Sequence, residues 1–106
     1  MKRVGMTWRV YSEQLEPYTD IHLNPWPELL EAIQEVGIHN YSIFALGDRM
    51  FAYMEVEGDI DKALAALGET DVYKLWAAEV NPWVKPEAIE GGGIQFMEID
   101  QIFFCP

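Results

Sequence analysis

An α+β fold, with helices on one face of a four-stranded antiparallel sheet in the order β-α-β-β-α-β, follows from three observations on this 106-residue chain. Residues 2–10 alternate, with Val4, Met6, Trp8 and Val10 on one side and Arg3, Gly5, Thr7 and Arg9 on the other, a period of two that marks a strand. Residues 38–46 and 50–57 are apolar, aromatic-rich runs separated by Gly47-Asp48-Arg49, which reads as a β-hairpin with a short glycine-containing loop. Between and after these runs the apolar residues recur at helical spacing.

Each element has its own signal. Pro17 has no backbone donor and belongs in a first turn, so the first helix starts near residues 14–16. Leu15, Tyr18 and His22 then share a face. Asn24-Pro25 reads as a helix restart, with Asn24 as N-cap and Pro25 as the first residue. Leu29, Ile33 and Val36 form the apolar stripe of that second segment, and Gly37 ends it as a left-handed cap. After the hairpin, Asp59 to about Leu67 is a short amphipathic helix ended by Gly68. Thr70 caps another, which carries Val72, Trp76 and Val80 at i, i+4 and i+8 and stops before Pro82. Residues 82–93, with two prolines and Gly91-Gly92-Gly93, read as a loop that is a candidate lid, and residues 94–104 as a last strand.

This order is the ferredoxin-like arrangement. The sheet face away from the helices carries too many aromatics to stay in water, so sheet-on-sheet closure into a homodimer, a dimeric α+β barrel, is expected. Residues 1–106 read as a single domain without repeats or linkers.

The formal net charge of −11 argues against nucleic acid and anionic membrane as partners, since both require a basic footprint. A neutral sugar is compatible with such a field, and the seven Lys and Arg residues show no phosphate-clamp spacing. One cysteine, Cys105, and two histidines give neither an internal bridge nor a zinc pattern, and Gly91-Gly92-Gly93 precedes a strand where a phosphate cradle would precede a helix. No apolar run reaches about 18 residues, and Arg3, Gly5, Thr7 and Arg9 interrupt any signal-peptide core, so a soluble cytoplasmic protein is expected.

The chemistry concentrates in Tyr18-Thr-Asp-Ile-His22-Leu-Asn24-Pro25-Trp26-Pro27-Glu28. His22 lies at a break between two helical segments and is the side chain best suited to give and take protons near neutrality. A lone histidine at a helix end is often only a polar surface residue. Here a helix C-terminus and an acidic protein both favour the protonated ring, and Tyr18 stands one turn earlier on the same face. His39, after Gly37, reads as a strand-entry residue. Tyr41 on a strand and Trp76 on a helix are each ordinary core residues by spacing, yet a buried Tyr hydroxyl needs a partner and an indole face suits the C–H-rich face of a sugar. The carboxylates Glu28, Glu55, Glu57, Glu98 and Asp100 include possible bases, and sequence does not choose among them or a water.

With these residues in view, the chain resembles the L-rhamnose mutarotases nearly end to end. The likeness rests on Lys-Arg-Val-Gly-Met-Thr-Trp-Arg-Val at the start, Tyr18 with His22, Asn24-Pro25-Trp26-Pro27-Glu28-Leu29, His39-Asn40-Tyr41-Ser42-Ile43-Phe44, and Thr70-Asp71-Val72 leading to Trp76. The resemblance implies a dimeric, cofactor-free and metal-free aldose epimerase acting at the anomeric carbon. It implies His22 as proton donor and Tyr18, Tyr41 and Trp76 as sugar-binding residues. Trp76-Ala77 stands where that family usually has two adjacent tryptophans, which implies a wider pocket and a preference open to L-rhamnose or a related L-sugar. Two other readings fit the same architecture, a dimeric α+β barrel monooxygenase and a non-enzymatic small-ligand binding dimer.

Overall fold

Alternation in β1 (Lys2–Val10) sends Val4, Met6, Trp8 and Val10 into the core, none more than 6% exposed. The computed structural model describes residues 1–86 and 97–106. β1 pairs antiparallel with β3 (Arg49–Val56) from Lys2 opposite Val56 to Arg9 opposite Arg49. Met50, Ala52, Met54 and Val56 therefore join the same buried layer. β2 (Ile38–Leu46) returns along β3 through the two-residue turn Gly47-Asp48. Gly47 takes φ 59°, the positive φ that such a turn requires at its first position.

Four helices cover this layer: α1 (Leu15–Leu23), α2 (Pro27–Glu35), α3 (Ile60–Gly68) and α4 (Asp71–Val80). Pro17 lies in the first turn of α1, as expected. Asp59 caps α3 by accepting from the backbone N–H groups of Asp61 and Lys62, and the Thr70 hydroxyl caps α4 by accepting from that of Tyr73. With β4 at Val84–Lys85, the sheet order is β2-β3-β1-β4, the ferredoxin-like order expected from sequence.

Two boundaries differ from expectation. α2 restarts two residues later than Asn24-Pro25 suggests, with Trp26 as N-cap and Pro27 as the first residue. Both prolines lack a donor and suit a first turn, but Asn24 is committed to the preceding helix. Its backbone N–H and its side-chain Nδ2 both donate to the Asp20 carbonyl, at 3.2 and 3.1 Å, and close α1.

The final strand is shorter than residues 94–104 and is preceded by a separate piece. β4 (Val84–Lys85) lies opposite Val10 and Arg9, and β5 (Met97–Ile99) lies opposite Thr7 to Gly5, so both use the edge of β1 left open by β3. Residues 82–86 of the expected loop thus hold the end of a 3-10 turn (Asn81–Trp83) and β4. The remainder, 87–93, lies outside the described residues, as do 94–96 of the expected strand. Pairing with β1 ends at Ile99 opposite Gly5, and residues 100–106 form no strand. Gly5 permits the close approach of β5, since a Cβ there would stand 3.0 Å from Ile99 Cγ1.

The sheet face away from the helices carries the cross-strand row Thr7, Phe51 and Phe44. Phe44 is 66% exposed, and Leu46 and Phe51 are also exposed. Beside it the Arg3 guanidinium rests 3.6 Å from the centre of the Phe104 ring.

Candidate active site

Between the covered face of the sheet and the helices lies a cavity of about 720 Å³. Its floor is apolar, built from strand residues such as Met6, Ile43, Met50 and Met54. The polar lining includes Tyr18 and His22 from α1, Tyr41 from β2 and Tyr73 from α4.

Two hydrogen bonds set the chemistry of α1. The Trp8 indole Nε1–H donates to the Tyr18 hydroxyl at 2.8 Å, which ties α1 to the central strand and leaves the phenol its own proton to donate. One turn on, His22 Nδ1 lies 2.7 Å from the main-chain carbonyl of Tyr18. A carbonyl only accepts, so Nδ1 carries the hydrogen, and in the neutral ring Nε2 holds the lone pair. The His22 ring is held 4.3 Å from that of Tyr18 and meets Trp76 edge-on, with ring centres 5.2 Å apart. Trp26 meets Trp76 edge-on at 5.1 Å, so an indole from the start of α2 braces the one on α4.

Burial decides the protonation states. It pushes the His22 imidazole below its ordinary 6.5, while the bond to the Tyr18 carbonyl works weakly the other way. The direction is opposite to the expected one, because loss of hydration around a half-buried imidazole outweighs the helix terminus and the acidic field. Burial pushes Tyr18 up to about 12, with Trp8's hydrogen bond opposing and the nearby Tyr73 adding to the rise. About a third of the Tyr41 surface stays open (36%), yet its phenol sits deep enough for burial, then Tyr18 and Tyr73, to raise its pKa well above 10. Burial raises Tyr73 likewise. These phenols stay protonated across the physiological range and act as hydrogen-bond donors.

The four residues singled out in the sequence, Tyr18, His22, Tyr41 and Trp76, all line this one cavity. His39 stands at its edge, with Nε2 2.9 Å from Glu57 Oε2. Among the described residues, none of the carboxylates Glu28, Glu55, Glu57, Glu98 and Asp100 lines the cavity, and neither does Ala77. Sequence reasoning missed Trp8, Trp26 and Tyr73. The signals were available: an indole on the buried side of a strand needs an acceptor, and Tyr73 precedes Trp76 by three residues on the same helix face.

The family model for L-rhamnose mutarotase matches residues 3–105. An L-rhamnose mutarotase from Bacillus subtilis is 33% identical over 87 residues, covering 80% of this chain and 82% of that relative. One from Listeria monocytogenes is 38% identical over 88 residues, covering 80% and 82%. The crystal structure of an L-rhamnose mutarotase from Formosa agariphila shares the fold with a TM-score of 0.77 over 100% of both chains, at 19% identity. Matched by its model almost end to end, and by relatives above 30% identity over four-fifths of the sequence, this chain belongs to the L-rhamnose mutarotase family.

Proposed function

We propose that this protein interconverts the α and β anomers of L-rhamnose, or of a closely related L-sugar, with His22 moving the proton. The observation that carries this reading is that the His22 ring, tied through Nδ1 to the Tyr18 carbonyl, lines one cavity together with the phenols of Tyr18, Tyr41 and Tyr73.

Opening a hemiacetal removes the proton of the anomeric hydroxyl, breaks the bond from the anomeric carbon to the ring oxygen, and places a proton on that oxygen. Both oxygens are bonded to the same carbon, so one nitrogen can serve both. Nε2 accepts the hydroxyl proton, and the imidazolium so formed returns it to the ring oxygen as the C–O bond breaks. Nδ1–H stays on the Tyr18 carbonyl throughout, which holds the ring's orientation. Rotation about the adjacent C–C bond presents the other face of the aldehyde, and the reverse steps close the other anomer. Tyr18 and Tyr41 are the hydroxyl donors that orient the sugar, and Trp76 covers its apolar face. The anomers are nearly equal in energy, so the reaction requires no redox equivalent or energy source.

The proposal extends to a cytoplasmic homodimer closed through the uncovered sheet face. The exposed Phe44, Phe51 and Leu46 support the dimer. Among the described residues no helix is long and apolar enough to cross a membrane, and the strong negative charge disfavours nucleic acid and anionic lipid.

Saturation transfer between the α and β proton signals of L-rhamnose tests the activity. The protein accelerates exchange, and His22→Ala loses about 10²–10⁴-fold of that acceleration while still melting cooperatively. Full exchange in that variant would sink the assignment of His22. Saturable sugar binding without accelerated exchange would establish a binding protein, and oxygen consumption would establish a monooxygenase.

A further inference from the structure

β2 does not alternate evenly. Ile38, Ile43 and Ala45, opposite the buried Val56, Ala52 and Met50, are five and two residues apart, and His39, Asn40 and Tyr41 between the first two also line the cavity. The long step is a β-bulge: His39 lies opposite Glu55 and Ser42 opposite Tyr53, so Asn40 and Tyr41 together oppose the single residue Met54. Asn40 has φ 49°, the one positive φ outside glycine among the described residues. Its Nδ2 donates to Glu55 Oε1 at 3.3 Å, and the other Glu55 oxygen accepts from the Tyr53 hydroxyl at 3.0 Å.

We propose that Asn40 is the positioning residue for Tyr41: by taking the left-handed conformation and anchoring to Glu55, it inserts the extra residue that turns Tyr41 into the cavity. Without the bulge, strict alternation from Ile38 would point residue 41 at the uncovered face with His39, and the cavity would lose a phenol. Asparagine is the natural choice, because it tolerates left-handed backbone better than other residues with a side chain and brings an amide that can be tied down. Glycine would fit the backbone without the tie, whereas a β-branched residue is strained at this φ. The register following the bulge also sets Phe44 on the outer face beside Phe51. One residue therefore fixes the side to which each later β2 residue points.

This inference rests on the reading of Tyr41 as a sugar contact, and the experiment separates the two. Tyr41→Phe is expected to raise KM for L-rhamnose roughly 3- to 10-fold, the loss of one hydrogen bond, with kcat little changed. Asn40→Val raises KM comparably, Asn40→Gly stays within about twofold of the parent, and adding Tyr41→Phe to Asn40→Val changes KM little further. A merely structural Asn40 would lower Tm in both backgrounds and leave KM alone. If Tyr41→Phe leaves KM unchanged, the assignment of Tyr41 falls, and the role of Asn40 with it. If Tyr41→Phe raises KM but a folded Asn40→Val does not, or if the two effects multiply, the positioning role alone is overturned. Should Asn40→Val fail to fold, Asn40→Ala, also disfavoured at this φ, carries the same comparison.

Discussion

The two faces of this one sheet have opposite fates. On the covered face Met6, Trp8, Met50 and Met54 are all but sealed by helices, and the space left among them is the cavity. On the other face Phe44 and Phe51 stand side by side across β2 and β3, exposed to solvent in the single chain. Neighbouring residues of the same strand supply both: Ile43 lines the cavity and Phe44 the outer surface. Strand parity thus separates the cavity lining from the exposed apolar surface, and the roles proposed for the two faces can be tested independently.

The largest effect is expected on the outer face. Glutamate at both Phe44 and Phe51 buries like charges in any sheet-on-sheet interface, and weakens dimerisation by at least about 2 kcal/mol, some 30-fold in Kd. Sedimentation equilibrium measures this, and an unchanged oligomeric state would remove the outer face from the interface.

A smaller effect is expected on the covered face. Tyr18→Phe removes the acceptor of the Trp8 N–H, at a cost of about 1–2 kcal/mol. For a domain of this size that is a fall in Tm of roughly 4–12 °C in thermal unfolding. The association state should not change.

The subtlest test is pH. Because burial lowers the His22 pKa, its neutral form already prevails at the ordinary value of 6.5 and above. kcat/KM should therefore rise with pH through a midpoint below the ordinary histidine value and level off above it. Catalysis by a resting imidazolium would fall over the same range. The stability contribution has a matching sign: it is complete above the unfolded value and is lost as pH falls through the folded one, since only the unfolded chain readily takes the proton.

Much of this was legible in the sequence because the signals were local. The alternation of β1, the donor-less Pro17, the Thr70 cap and the glycine-containing turn each depend on a few neighbouring residues. Tyr18, His22, Tyr41 and Trp76 were recognisable from the family-like strings around them, and they do line a single cavity. What escaped depends on contacts distant in sequence. Residues 38–46 read as an uninterrupted strand, because a bulge shows only in the pairing with β3. Val84–Lys85 looked like loop between two prolines, because its partner is the free edge of β1. The direction of the His22 shift escapes for the same reason: charge and helix position are visible in the chain, whereas hydration of the ring depends on Tyr18 and Trp76 packing beside it.

The anchor of His22 is a peptide carbonyl, not a side chain. Substitution at residue 18 can alter sugar contacts while that carbonyl stays in place, and the tautomer survives as long as the helix does. On the roles proposed for these residues, drift in substrate preference is thereby uncoupled from loss of the proton shuttle, so a lineage can explore new aldoses at residues 18 and 41 without first passing through an inactive ancestor.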